Sequence, residues 1–165
     1  MDTGAVKIVL VIIALIVLPF VFNSLYKKRK DLKFQKDFID MAEKEKIIFF
    51  HKELWNNRYA IGIDNNSRKL LYIKRQNNTV EHVMIDLSEV EKCRIGYFNK
   101  TAKNQDGKNN TSDRIELIFT FLKSGSTEKA IEFYNNAEFM PAENDQSLAE
   151  KWLQLINSNL NINKV

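Results

Sequence analysis

Between Ile8 and Phe22 the chain reads IVLVIIALIVLPFVF, fifteen residues without a charge or a strongly polar group. No other stretch restricts the fold as severely. Continuing through Asn23, Ser24 and Leu25 to Tyr26 gives 19 residues, about 28 Å of helix at 1.5 Å per residue, close to the thickness of a bilayer's hydrocarbon core. A chain of 165 residues has no interior large enough to bury such a helix on all sides. The expectation is a transmembrane helix within residues 1–26. Pro19 lies toward its C-terminal end, where lipid tolerates a kink, and Tyr26 stands where an interfacial aromatic belongs.

A cleaved signal peptide is the competing reading. It needs a basic leader, a shorter apolar core and a small-x-small cleavage site. Here only Lys7 precedes the core, and the basic residues Lys27, Lys28, Arg29, Lys30 and Lys33 follow it. These five are the candidate membrane-flanking and lipid-contacting residues. By the positive-inside rule they hold the C-terminal side in the cytoplasm and leave the short N-terminus outside, a single-pass topology.

The same cluster explains the charge. The net charge is +4, and residues 1–33 hold six basic residues against two acidic ones, so the remainder is balanced. A basic pI that belongs to a juxtamembrane flank gives no support to nucleic-acid binding. One cysteine, Cys93, excludes an internal disulfide framework and a cysteine-based zinc site.

Residues 27–46 form a basic juxtamembrane segment whose second part, DLKFQKDFIDMAEKEK, has no Gly or Pro. Phe34, Phe38, Met41 and Ala42 fall on one helical stripe. An amphipathic helix at this place can lie on the inner leaflet, which makes Tyr26, Phe34 and Phe38 candidate interfacial residues. It can equally pack on the domain after it or continue the anchor.

Beyond Lys46 the period shortens. Apolar runs of five to ten residues are separated by Asn pairs at 56–57, 65–66, 77–78, 109–110 and 135–136. Asn tolerates the left-handed conformation and bonds its own backbone, so these pairs predict turns. With 18 Asn in the chain, N-x-S/T triplets such as Asn77-Asn78-Thr79 arise by chance and predict no glycosylation. Seven strands are expected, at 47–54, 59–64, 69–75, 80–87, 90–98, 114–123 and 129–134, the first of them interchangeable with an extension of the helix. None of the connections can hold a parallel crossover, so the sheet should be antiparallel. Ser147-x-x-Glu150 has the form of a capping box. It precedes a stripe of Leu148, Trp152, Leu155 and Ile156, which predicts a C-terminal helix covering an open end or edge, with Trp152 as its plug.

Seven antiparallel strands and a C-terminal capping helix resemble a pleckstrin-homology-like (PH-like) barrel or sandwich spanning residues 47–162. The phrases YAIGIDNNSRKLLYI, IDLSEVEKCRI, IEFYN and LAEKW resemble those of a family of uncharacterised single-span bacterial membrane proteins with a PH-like cytoplasmic domain. The resemblance covers roughly residues 45–160. It implies a fold and a place at the bacterial inner membrane, and no ligand.

Chemistry is sparse. His51 and His82 stand in no metal-binding or zinc-protease spacing, and no phosphate loop or nucleophile elbow is present. His82 is expected on the solvated face of its strand and Cys93 inside, and a Cys93–His82 pair would require the two strands to be neighbours. Asp64 lacks the spaced ligands of a calcium loop and suits a turn cap. The segment 99–113 is polar throughout. Its Lys100, Lys103 and Lys108 could touch phosphate headgroups, although no basic pattern of the PH type lies between the first two strands. The expectation is a non-enzymatic module with no cofactor or metal: an adaptor or scaffold with an unknown protein partner. Sensing of anionic lipid or the membrane surface is the alternative.

Overall fold

The computed structural model describes residues 3–76, 79–98, 114–122, 128–135 and 145–161. The chain begins with one long helix, α1 (Thr3–Lys44). Seven strands come next: β1 (His51–Trp55), β2 (Tyr59–Asp64), β3 (Lys69–Gln76), β4 (Thr79–Asp86), β5 (Val90–Phe98), β6 (Arg114–Phe121) and β7 (Lys129–Asn135). Helix α2 (Asp145–Asn161) comes last. Every strand pairing is antiparallel.

The strands form two sheets, β1-β2-β3-β4 and β5-β6-β7. They do not close into a hydrogen-bonded barrel, so of the expected barrel or sandwich it is the layered form that is seen. The inner faces of the two sheets enclose the larger core. Tyr59, Ile61 and Ile63 of β2 meet Leu117, Phe119, Ile131 and Phe133 there, and Trp152 of α2 is buried among them. Helix α2 lies chiefly on β5. The Trp152 indole nitrogen and Lys151 Nζ both reach Glu53 Oε2 of β1, at 3.1 and 2.9 Å, so α2 bridges an outer strand of each sheet.

The turns show why these segments end where they do. At β1–β2 both Asn56 and Asn57 take positive φ, 51° and 50°, and the Arg58 amide donates to the Trp55 carbonyl at 3.2 Å. The two left-handed asparagines make a turn of the twisted I′ kind within the three-residue loop between Trp55 and Tyr59, and Asn is among the few residues that adopt it without strain. At β2–β3 the Asp64 carboxylate accepts from the amides of Asn66 and Ser67, as expected for a turn cap.

Helix α1 ends without a glycine. Lys46 adopts φ 55°; its amide donates to the Glu43 carbonyl and the Ile47 amide to the Ala42 carbonyl, at 3.1 and 2.8 Å. This is a Schellman closure, and its usual apolar contact between the flanking residues is supplied by Ala42 and Ile47. The first strand consequently starts at His51 and not at Ile47. Ser147 is the third residue of α2, which begins at Asp145, so it lies within the helix and not at its N-cap. Glu150 instead accepts from Gln146 Nε2 and the Tyr97 hydroxyl, at 3.0 and 3.4 Å.

Candidate functional site: the helix-to-sheet junction and the β4 edge

The central strands of the four-stranded sheet, β2 and β3, are buried on both faces. Ala60, Leu71 and Ile73 turn away from the main core and join Phe34, Phe38, Ala42 and Ile47 in a second one. The C-terminal part of α1 is therefore a structural layer of the domain. Phe49 lies flat on this face and stacks on Phe38 with ring centroids 4.7 Å apart. Gly62 makes room for it: a Cβ at that position would lie 2.3 Å from the Phe49 ring.

Both ends of this contact are fastened by polar groups. At one end the Arg75 guanidinium donates to the carbonyls of Lys30, at 2.9 Å, and Asn57. It also lies 3.6 Å from Asp31 Oδ1 and 4.9 Å above the Phe34 ring. At the other end Asp64 Oδ2 accepts from the Ile48 amide at 3.0 Å and from the Ser67 hydroxyl at 2.8 Å. Burial alone would raise the Asp64 pKa. The bonds from Ile48, Ser67 and Asn66 outweigh it and hold the carboxyl below its ordinary value.

A second polar cluster joins the two sheets. Glu132 Oε1 accepts from Lys74 Nζ at 2.7 Å and from the Tyr59 hydroxyl at 2.8 Å, and Asn135 donates to Oε2 at 3.0 Å. Burial pushes the Glu132 pKa up, but these partners, Lys74 first, bring it below the usual range. Nearby, Phe133 is the extra residue of a bulge in β7, since the pairing steps from Ile115–Tyr134 to Glu116–Glu132. The Trp55 indole N–H donates to the Phe133 carbonyl at 3.0 Å, and the Tyr72 hydroxyl to the Glu132 carbonyl at 2.6 Å.

An outer strand presents unpaired backbone groups that could accept another strand. On β7 two carbonyls are taken by Trp55 and Tyr72, and on β5 the Cys93 carbonyl accepts from Asn157 Nδ2 at 3.3 Å. β4 differs. The Arg75 amide points to the carbonyl of Arg58, the residue just before β2, so Gln76, Lys74, Tyr72 and Leu70 point toward β4 and bond their partners Thr79, Glu81, Val83 and Ile85. The backbone groups of Val80, His82 and Met84 then face outward. Lys129 Nζ reaches the Met84 carbonyl at 3.2 Å, while Glu81 and His82 are exposed.

The residues singled out from the sequence are distributed unevenly. Lys28, Arg29, Lys30 and Lys33 are exposed along α1, and Lys30 Nζ sits 4.9 Å over the ring of Tyr26, itself exposed. The Lys27 side chain lies outside the described residues, as do Lys100, Lys103 and Lys108. Phe34 and Phe38 are corrected: at 2% and 0% exposure they are committed to the sheet and cannot lie in a leaflet. His51 and His82 are exposed. Cys93 is buried, and desolvation pushes its thiol up to about 12. The strand adjacency that a Cys93–His82 pair would require is not seen, because β4 and β5 belong to different sheets. Among the described residues no group of three or more His, Cys, Asp or Glu is arranged to hold a metal ion.

Sequence reasoning missed Arg75, Glu132 and Gly62. Only Gly62 had a signal: YAIGI carries no charge on either face, the pattern of a strand buried on both sides.

Among the described residues no helix is long and apolar enough to cross a membrane. The side chains of residues 3–11, Ala14 and Phe20, which belong to the apolar run or precede it, lie outside that description. Comparison with family models, curated proteins and solved structures finds no match to this chain.

Proposed function

We propose that the protein is a membrane-tethered, non-catalytic binding module of PH-like architecture, an adaptor that receives a strand of a partner protein on β4. Residues Ile8–Tyr26 anchor it, the N-terminus lies outside, and the domain occupies the cytoplasmic face of a bacterial inner membrane. Two features support the anchor: the uncharged run of the sequence, and the exposure of Ile12, Ile13, Leu15, Ile16, Val17, Leu18, Val21 and Phe22 along α1. Side chains of this kind need lipid or protein around them.

The observation that carries the binding reading is the outward backbone of β4 at Val80, His82 and Met84, of which Lys129 Nζ takes the Met84 carbonyl. An extended segment adding to an eight-residue strand gains affinity from main-chain hydrogen bonds and specificity from alternate side chains. Tethering raises its effective concentration at the bilayer.

The test uses His82→Pro, which removes an outward N–H and leaves the bonds to β3 intact. A partner copurifying from crosslinked membranes with the wild-type chain should be lost from this variant at unchanged protein level. Equal recovery of the same partner on both would reject β4 as the docking edge. Carbonate extraction that strips the chain from membranes would reject the anchor.

A further inference from the structure

A domain on a flexible tether samples many orientations against its membrane; one built onto a rigid helix keeps a single orientation. The junction between α1 and the four-stranded sheet is of the second kind. No described break interrupts α1 between Tyr26 and Lys44. The helix is attached to the sheet at two separated places, through Arg75 near Asp31 and through the Ala42–Ile47 closure followed by the Ile48–Asp64 bond. Asp31 to Ala42 spans about 16 Å of helix. Arg75 to Lys69 spans about 20 Å of strand. The two lengths nearly match, so α1 runs along β3 in the opposite direction.

We propose that this double attachment fixes how the domain faces an anionic lipid surface. The β1–β2 turn and the β3–β4 end stand against the headgroups, while the β2–β3 turn points away. The inference rests on the reading of Ile8–Tyr26 as an anchor. From Tyr26 to Asp31 is about 7 to 8 Å along the helix. The Arg75 guanidinium, bonded to both Lys30 and Asn57, therefore holds the β1–β2 turn about one Debye length from the interface. Among the described residues, Lys28, Arg29, Lys30, Lys33, Arg58, Lys74 and Arg75 stand at this end against Asp31 and Glu81, so the face turned toward the bilayer carries a positive excess that complements anionic headgroups. Arg75 acts here as a positioning residue: its donors tie helix, turn and strand together.

The full-length chain can be tested in vesicles of mixed phosphatidylglycerol and phosphatidylcholine carrying a headgroup acceptor dye. Donors are placed by Thr79→Cys at the near end and Asn65→Cys at the far end, both exposed positions. Buried Cys93 leaves these the reactive thiols. The expected result is a Thr79 donor closer to the acceptor plane by about 15 to 20 Å, from the length of β3. The difference should persist in vesicles of phosphatidylcholine alone, because the helix and not the lipid charge sets the pose. In Arg75→Gln it should shrink. Carbonate-resistant protein with equal transfer from both sites overturns the fixed pose alone. A difference that exists only with phosphatidylglycerol overturns the strut, and an unchanged difference in Arg75→Gln overturns the role given to Arg75. Protein that does not insert removes the anchor, and the pose with it.

Discussion

Gly62→Ala tests whether α1 truly belongs to the domain. The added Cβ would lie 2.3 Å from one Phe49 ring carbon and 2.4 Å from the next, so the ring must leave its place. It would then lose its stack on Phe38. Overpacking of this kind costs about 1–3 kcal/mol, and the lost stack about 0.5–1.5 kcal/mol. Alanine's smaller backbone entropy in the unfolded chain offsets about 0.4–1 kcal/mol. The net loss is about 2 kcal/mol, a large share of the roughly 5–15 kcal/mol that holds a domain together. Guanidinium unfolding in detergent micelles, followed by tryptophan fluorescence, is the assay. Trp55 and Trp152 both lie in the other core, so they report loss of the whole sandwich. With a slope of about 4 kcal/mol/M, the midpoint should fall by about 0.5 M. The same substitution made beside Phe49→Ala should cost less than about 0.5 kcal/mol, because the clashing ring is gone. An unshifted midpoint for Gly62→Ala, or an equal loss in both backgrounds, would refute this packing of Phe49 against the strand.

Three further outcomes rest on named groups. Asp64 is held below its unfolded pKa, so its contribution is present above about pH 4 and fades as pH falls from there through the folded value; Asp64→Asn should therefore flatten the loss of stability as pH drops below about 4, measured by denaturant midpoints. Lys74→Met leaves Glu132, whose side chain is only 15% exposed, without its cation. Unfolding titrations should show a loss of about 2 kcal/mol, with acid destabilisation beginning at higher pH than in the wild type. Cys93 should resist Ellman's reagent at pH 8 in the folded protein and react once denaturant is added, since burial disfavours the thiolate.

How much could be read in advance depends on the range of the forces involved. Strands β2 and β5 fall at the expected 59–64 and 90–98, between polar breaks such as the Asn pairs around β2 and Ser88-Glu89 before β5, because turn conformations are set within a few residues. The helix end at Lys46 uses a left-handed lysine where glycine is customary, and no local residue type announces it. The Ser147–Glu150 pattern shows the reverse: it satisfies a cap motif, yet the helix starts two residues earlier. The Phe34–Phe38 stripe was legible as apolar and one-sided, but an apolar stripe does not say whether lipid or protein covers it. Trp55 meets a carbonyl 78 residues away, and Arg75 one 45 residues away; both contacts exist only once the sheets have assembled.

The sequence alone determined the uncharged run Ile8–Phe22, the basic residues behind it, the balanced charge of the remaining chain and the order of strands and helices. Each comes from side-chain chemistry read over one or two turns of chain. Tertiary structure decided that the second half of α1 is a layer of the sheet, that the strands divide four and three without closing a barrel, and that Arg75, Asp64 and Glu132 join distant segments. Those outcomes depend on which surfaces meet in three dimensions. Burial rewards any close-fitting apolar or hydrogen-bonded pair, so only the assembled geometry selects among the pairings the sequence permits.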